Sequence, residues 1–324
     1  MKFKDLLPDI IFETASCQGY QPTGALFPLS SYENRVYEIG VEEGEPIIAK
    51  YYRTGRWRVG AIADEHHFIE ALAEAEIPVV SPLVLKKPIP ALSTLAQYQD
   101  LYYSFYPKFR GRERAEYTLD DLRWLGRSLG RLHNIGETFP AKHRLHLNPQ
   151  TFGYDSLEFI LNHNDVPDEL KSKLELHLEQ ALELCEPYFV PQLKIITVHG
   201  DCHPGNILWN QVGPYLLDFD DMVIAPPVQD IWMLFHGTVD EKQKQREAFF
   251  EGYEVFREFD YSTLRLTEAL RTLRMIRHAA WIGQRYEESA FKIAFPYYKE
   301  RRYWEAYLQE IREQIALLQE ATWG

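Results

Sequence analysis

The residues best suited to chemistry lie in one stretch, between positions 199 and 221. Asp201 precedes Asn206 by five positions, and Asp218 comes at the end of the next predicted hairpin. Apolar β-like runs flank these residues, so we expect them in loops that rigid strands hold in place. Phosphoryl transfer needs such a set: one carboxylate to position or deprotonate a hydroxyl, and an amide oxygen with a second carboxylate to hold Mg²⁺ against nucleotide phosphates. The first half reads His199-Gly200-Asp201-Cys202-His203-Pro204-Gly205-Asn206-Ile207-Leu208-Trp209.

This stretch also has two other interpretations. Gly, Pro, Asn and Asp form turns between strands, but turn chemistry alone does not require a later Asp218 flanked by apolar residues. His199, Cys202 and His203 suggest a zinc site. Zinc sites, however, use repeated pairs such as C-x-x-C or H-x₃₋₅-H, and the other cysteines of this chain stand alone. Phosphoryl transfer is therefore the favoured chemistry.

The layout matches the protein-kinase pattern H-R-D-L-x-x-x-N followed by D-F-G. The chain resembles the aminoglycoside phosphotransferase and choline kinase superfamily and, within it, the bacterial stress response kinase A family of serine/threonine protein kinases. Three segments carry the resemblance: residues 30–37, 199–209 and 227–234. It implies an α+β, bilobal protein-kinase-like fold with a small antiparallel-sheet lobe and a large, mainly helical lobe. We place these lobes at residues 1–106 and 107–324, with a hinge at about 105–112.

The resemblance also implies the catalytic and cofactor-binding residues. Asp201 would act as the catalytic base. Asn206 and Asp218 would hold Mg²⁺, and Asp218 would also be a catalytic residue. Loop 30–34 would cover the nucleotide although it has no glycine, and Ser31 would contact ATP. Lys50 ends an apolar strand as in V-A-I-K and would orient the phosphates.

Glu65 lies fifteen residues beyond Lys50, where the resemblance suggests an ion pair between them. Simpler interpretations stay open for these three residues of the nucleotide site. Loop 30–34 also fits a plain hairpin turn. A lysine at a strand edge is usually solvated, and Glu65 fits an ordinary surface acid of the helix predicted from Val59 to Glu74.

Composition limits the partners and the compartment. The net charge of −13 argues against nucleic acid as a partner. The three cysteines, Cys17, Cys185 and Cys202, are scattered and predict reduced thiols. We see neither a signal-peptide core nor an apolar run long enough to span a membrane, so we expect a cytoplasmic protein. We also expect it to be a monomer.

The function expected from the sequence is that of an ATP- and Mg²⁺-dependent phosphotransferase, a serine/threonine protein kinase of the stress response type. Two departures bear on its substrate. Asp220 replaces the glycine of D-F-G, and only eleven residues separate Asp218 from Asp230, which leaves no room for a long activation loop. A kinase of small molecules (an amino alcohol, homoserine or an aminoglycoside) is the alternative. A pseudokinase scaffold is the alternative of another class, and the joint presence of Lys50, Asp201, Asn206 and Asp218 argues against it.

Several elements outside this stretch are also predicted. Thr118 begins a helix with Asp121 at its third position, and Pro227 begins another that carries Asp230 as a supporting residue. An arginine stripe of helical spacing is either a solvated face or a docking site for an acidic substrate. Four aromatic side chains are either core residues or a cage for a quaternary ammonium group. The stripe is Arg271, Arg274, Arg277 and His278, and the aromatic set is Trp232, Trp281, Tyr286 and Trp304.

Overall fold

The structure of the protein is a computed structural model, which describes residues 6–163 and 165–323. The chain divides into two compact units. The first unit comprises the chain up to Arg144 together with His199–Met222 and Met233–Glu258, and the second comprises Leu145–Val198, Val223–Trp232 and the chain from Phe259 onward. The lobes expected at residues 1–106 and 107–324 stay a prediction.

Strands and helices come largely in separate runs along the chain, as expected of an α+β protein. The α-helices of the described residues are α1 (Pro8–Cys17), α2 (Val59–Glu74), α3 (Leu119–Thr138), α4 (Asp155–Asn162), α5 (Asp168–Cys185), α6 (Val239–Tyr253), α7 (Thr267–Arg285), α8 (Ser289–Ala294) and α9 (Arg301–Trp323). The strands are β1 (Pro22–Leu29), β2 (Arg35–Val41), β3 (Ile47–Tyr51), β4 (Ala96–Tyr98), β5 (Leu101–Pro107), β6 (Ile196–Val198), β7 (Ile207–Asn210), β8 (Gly213–Leu216) and β9 (Val223–Ala225).

An antiparallel sheet with the order β1-β2-β3-β5-β4 organises the first unit. Its central strand, β3, places Lys50 opposite Val36 of β2 and Ser104 of β5. Strand β4 begins only at Ala96, and residues 89–95 before it form a tight turn with a hydrogen bond from Leu92 N to Ile89 O.

Helices pack against this sheet through apolar residues at helical spacing. Ile11 and Ala15 of α1 share a buried cluster with Ile39, Ala49 and Phe105 of the sheet. Helix α2 occupies the range predicted from the sequence and buries Ile62, Phe68 and Leu72 along one side. Glu65 lies on α2 among these apolar residues and is completely buried.

Helices α3 and α6 pack closely in the same unit. A capping box begins α3: Asp121 N donates to Thr118 Oγ1 at 3.1 Å, and Thr118 N donates to Asp121 Oδ2 at 3.0 Å. Gly126 allows the close approach, because a Cβ there would lie 2.1 Å from the carbonyl oxygen of Phe249. The predicted helix and its cap are both present.

The second unit combines helices α4, α5, α7, α8 and α9 with the two-stranded ribbon of β6 and β9. The helix predicted from Pro227 was wrong. Residues Pro227–Asp230 and Trp232–Leu234 form two 3₁₀ turns instead, with hydrogen bonds from Gln229 N to Pro226 O and from Ile231 N to Val228 O. A segment this short makes too few i→i−4 bonds to offset the free energy of helix nucleation.

Two of the four aromatic side chains of the predicted set are core residues, and the other two, Trp232 and Trp281, are half-buried. Trp304 is completely buried and packs against Tyr298, and Tyr286 is only 7% exposed. The arginine stripe lies on α7, where the guanidinium of Arg271 stands over the ring of Trp232 at 5.5 Å and that of Arg277 over the ring of Phe152 at 3.9 Å. Within the described residues, no helix is both long and apolar enough to cross a bilayer.

Candidate active site

A buried ion pair joins β3 to α2. Lys50 Nζ lies 2.9 Å from Glu65 Oε1, and the two side chains are 8% and 1% exposed. Lys50 is buried because it stands mid-ladder, between β2 and β5, and Glu65 because its side of α2 is otherwise apolar. The structure therefore contains the ion pair that the family resemblance implied.

Two further carboxylates surround the Lys50 ammonium. Asp218 Oδ1 lies 3.3 Å from Nζ and Asp220 Oδ1 lies 3.5 Å from it. Burial alone would lower the pKa of Lys50, but these carboxylates and Glu65 outweigh burial and hold that pKa well above its ordinary value. Lys50 is therefore a permanent cation in contact with three acids.

Arg144 balances part of this negative charge. Its side chain is fully buried, and its Nη2 lies 3.0 Å from Glu65 Oε2. It also donates from Nη1 to the carbonyl oxygen of Asp220 at 2.6 Å and from Nε to that of Ala61 at 2.9 Å. Glu65 thus receives a cation on each carboxylate oxygen, yet burial still dominates and raises its pKa.

Asp218 combines a left-handed backbone with an accessible carboxylate. Its φ is +55°, which is uncommon for a residue other than glycine, and its side chain is 52% exposed. Oδ1 faces Lys50, whereas Oδ2 accepts no hydrogen bond from any residue within 6–163 or 165–323. This second oxygen is available to a ligand.

A short loop after β6 carries Asp201 and Asn206. Asn206 Nδ2 donates to Asp201 O at 2.9 Å and to Asp201 Oδ2 at 3.4 Å. His203 Nε2 lies 3.4 Å from the same Oδ2. The Asp201 side chain is 21% exposed, so it is held by its neighbours and still reaches solvent.

Backbone hydrogen bonds bring this loop beside Asp218. Buried His199 donates from Nε2 to Leu217 O at 2.7 Å, and its Nδ1 accepts from Asp201 N at 3.3 Å. Leu217 N donates to Asn206 O at 3.0 Å. Asn206 and the residue preceding Asp218 are therefore hydrogen-bonded neighbours.

The donor atoms at this point fit a magnesium ion. The Asn206 amide nitrogen faces acceptors, which leaves Oδ1 without a hydrogen-bond donor among the described residues, as is also true of Asp218 Oδ2. Magnesium in phosphate-transferring sites is bound by one or two protein oxygens and completed by substrate phosphates and water. Asn206 and Asp218 thus suit the role expected of them.

Ser31 lies in the turn between β1 and β2 and is partly buried. Ion pairs rather than glycines shape its loop: Glu33 Oε1 lies 2.8 Å from Arg53 Nε, and Glu33 Oε2 lies 2.6 Å from Arg56 Nη1. Asn34 is buried and accepts from Arg53 N at 3.2 Å. A contact between Ser31 and ATP stays a prediction.

The sequence missed Arg56 and Arg144 as members of this site and noted Asp220 only as a departure. Asp220 is 4% exposed and has Lys50, Arg56 and Arg144 around it. Burial would raise its pKa, but these cations outweigh burial and hold the pKa below the ordinary range. The one signal in the sequence was a carboxylate in place of glycine. Where such a carboxylate is buried, it requires a cation nearby.

His66, next to Glu65 on α2, is a packing residue. It is 2% exposed, and its ring nitrogens lie 2.7 Å from Tyr52 OH and 2.6 Å from Thr94 Oγ1. Burial, with smaller contributions from Lys50, lowers its pKa to about 3. It is therefore uncharged at neutral pH.

The antiparallel sheet, the buried Lys50–Glu65 ion pair and the loops that carry the carboxylates are together typical of a kinase-like phosphotransferase. The chain belongs to the phosphotransferase enzyme family, whose sequence profile matches residues 26–267. Within that family it is similar to Stress response kinase A of Escherichia coli K12, with 32% identity over 318 residues that cover 98% of this chain and 95% of the relative. Serine/threonine protein kinase RdoA of Salmonella typhimurium LT2 matches with the same identity and coverage.

The fold is also that of solved kinases. The amicoumacin kinase hAmiN, solved with AMP-PNP, Ca²⁺ and Ami, superimposes with a TM-score of 0.71 at 18% identity, over 90% of this chain and 92% of that one. These comparisons confirm the predicted family and the kinase-like α+β fold. The protein is an enzyme, a kinase.

Proposed function

We propose that this kinase transfers the γ-phosphoryl group of ATP to a serine or threonine hydroxyl of a protein, with Mg²⁺ as the cofactor. The proposal depends mainly on the contacts of the Lys50 ammonium, whose nitrogen lies 2.9 Å from Glu65 and 3.3 Å from Asp218. The second of these contacts joins the lysine that would orient phosphates to the carboxylate that would hold the metal. The relatives named stress response kinase and serine/threonine protein kinase support the protein substrate.

Each residue has one task in this mechanism. Asp201 accepts the proton of the attacking hydroxyl as the new O–P bond forms and the bond from the γ-phosphorus to ADP breaks. Lys50, held by Glu65, neutralises the phosphate oxygens. Bound Mg²⁺ would withdraw negative charge from the phosphates, and Asn206 Oδ1 and Asp218 Oδ2 are the oxygens placed to hold it.

The segment between Asp218 and Asp230 affects regulation. Residues 219–229 contain no Ser, Thr or Tyr, so phosphorylation within that segment cannot activate the enzyme. The purified protein should therefore be active when made in a host without other kinases.

Labelled ATP tests the proposal directly. The purified protein should label itself or a generic basic protein on Ser or Thr, as phosphoamino-acid analysis would reveal. Lys50→Ala should abolish labelling, and Asp201→Asn should reduce it roughly 10²–10⁴-fold, as for the loss of a general base. Asp240→Asn, an exposed aspartate in the first turn of α6, is the matched control and should label like the wild type.

A small-molecule kinase is the second candidate, and one observation favours it. Only eleven residues separate Asp218 from Asp230, so the usual peptide-binding segment of protein kinases is missing. The amicoumacin kinase of similar fold was solved with Ami bound. Turnover of an amino alcohol without any protein labelling would reject the protein substrate and leave the phosphotransferase assignment intact. Nucleotide binding without turnover of either substrate class would favour a scaffold.

A further inference from the structure

Asp220 has partners that the mechanism above does not use. One carboxylate oxygen lies 3.5 Å from Lys50 Nζ, and the other lies 3.0 Å from Arg56 Nη1. Its side chain is 4% exposed, and its backbone carbonyl is held by Arg144. A buried carboxylate with this many cations has a fixed position, because any displacement would leave a charge without its partner.

Arg56 extends these contacts to the loop that would cover the nucleotide. Its side chain is 9% exposed, and the nitrogen that faces Asp220 also lies 2.6 Å from Glu33 Oε2. Its other terminal nitrogen pairs with Asp221. One guanidinium therefore joins loop 30–34 to the segment that directly follows Asp218.

Glu33 fixes its own loop in turn. Arg53 donates from Nε to the Glu33 carbonyl oxygen at 3.0 Å and pairs with its carboxylate at 2.8 Å. A glycine-rich loop would take its shape from backbone freedom. The shape of loop 30–34 depends instead on the ion pairs of Glu33 with Arg53 and Arg56, and Arg56 also contacts Asp220.

We propose that Glu33, Arg56 and Asp220 are positioning residues that set the affinity for ATP. Their ion pairs hold loop 30–34 in a fixed position relative to Lys50 and Asp218. The inference rests on the proposed function only in taking this site as the nucleotide site. If Asp218 held a metal ion, Asp220 would still provide Lys50 with a second carboxylate beside Glu65. Loss of the coupling weakens ATP binding and leaves the chemical step, at Asp201, in place.

Glu33→Gln is the decisive variant, since it removes one charge at the edge of the network while keeping the shape of the side chain. We expect KM for ATP and the Kd for Mg²⁺-bound ATP to rise about tenfold, with kcat within about twofold of wild type. The matched control is Glu251→Gln, which removes the partner of Arg123 from an exposed ion pair of the same unit. It should leave KM, Kd and kcat unchanged.

A double variant separates coupling from simple loss of charge. If Arg56 acts through Glu33, the KM of Glu33→Gln/Arg56→Gln should be no higher than that of Arg56→Gln alone. Multiplied effects would show independent roles and overturn the proposal. Since Arg56→Gln removes one of the cations around the buried Asp220 and threatens folding, Glu33→Gln decides the matter whenever the Arg56 variants are unfolded.

The outcome also distinguishes this inference from the proposed function. Calorimetric titration with Mg²⁺-bound ATP needs no phosphate acceptor, so it applies whichever substrate is phosphorylated. Normal ATP binding by Lys50→Ala would mean that the nucleotide site itself is misplaced. Lost binding in Lys50→Ala together with wild-type binding in Glu33→Gln would overturn the positioning role alone.

Discussion

Replacing His66 should remove a defined part of the acid sensitivity of this protein. The native pKa of His66 is about 3, whereas an unfolded histidine titrates near 6.5. Between these values the unfolded chain binds a proton that the native chain does not, so the free energy of unfolding falls as pH falls. The slope for one proton is about 1.4 kcal/mol per pH unit, which gives about 2 kcal/mol between pH 6.5 and 5.

Urea unfolding at about pH 7 and about pH 5 measures this contribution. His66→Gln cannot titrate, so its loss of stability between the two pH values should be smaller than that of wild type by about 2 kcal/mol. His67→Gln changes the exposed neighbouring histidine and should lose as much stability as wild type. Equal losses in wild type and His66→Gln would refute the reasoning, because the burial of His66 near Lys50 would then not affect its protonation.

Two further changes test other parts of the first unit. Asp218→Ala should abolish Mg²⁺-dependent ATP binding, because it removes an accessible carboxylate oxygen of the proposed metal site. Calorimetry with and without Mg²⁺ checks this, and unchanged affinity would place the metal elsewhere. Thr118→Ala should lower the free energy of unfolding by about 1 kcal/mol through loss of the cap of α3, while Thr118→Ser retains the hydroxyl and most of the stability. Equal stability of the two variants in urea would contradict the capping role.

The family resemblance implied part of the candidate site, and local patterns explain that part. Lys50 and Glu65 stand on two neighbouring elements, a strand and the next helix, whose apolar spacing fixes which side chains face inward. The capping box of Thr118 and Asp121 follows from four consecutive residues. In both cases the determining interactions are close in sequence.

The rest of the site depends on contacts between distant segments. Arg56 meets Asp221 across 165 positions, and Arg144 meets Asp220 across 76. An arginine in a loop has no periodicity that indicates whether it is solvated or buried. The prediction also failed at Pro227, which was expected to begin a helix although the segment is too short for one.

The three carboxylates around Lys50 also determine how this protein meets covalent reagents. An amine attacks an acylating or sulfonylating group only as the free base. Because the pKa of Lys50 is held well above its ordinary value, this lysine is almost wholly ammonium, and it is also buried. Lysine-directed probes should therefore modify exposed lysines such as Lys194 before Lys50. A selective covalent inhibitor would have to gain its selectivity from binding beside Asp218 and drawing that carboxylate away, since the lysine itself offers little nucleophilicity.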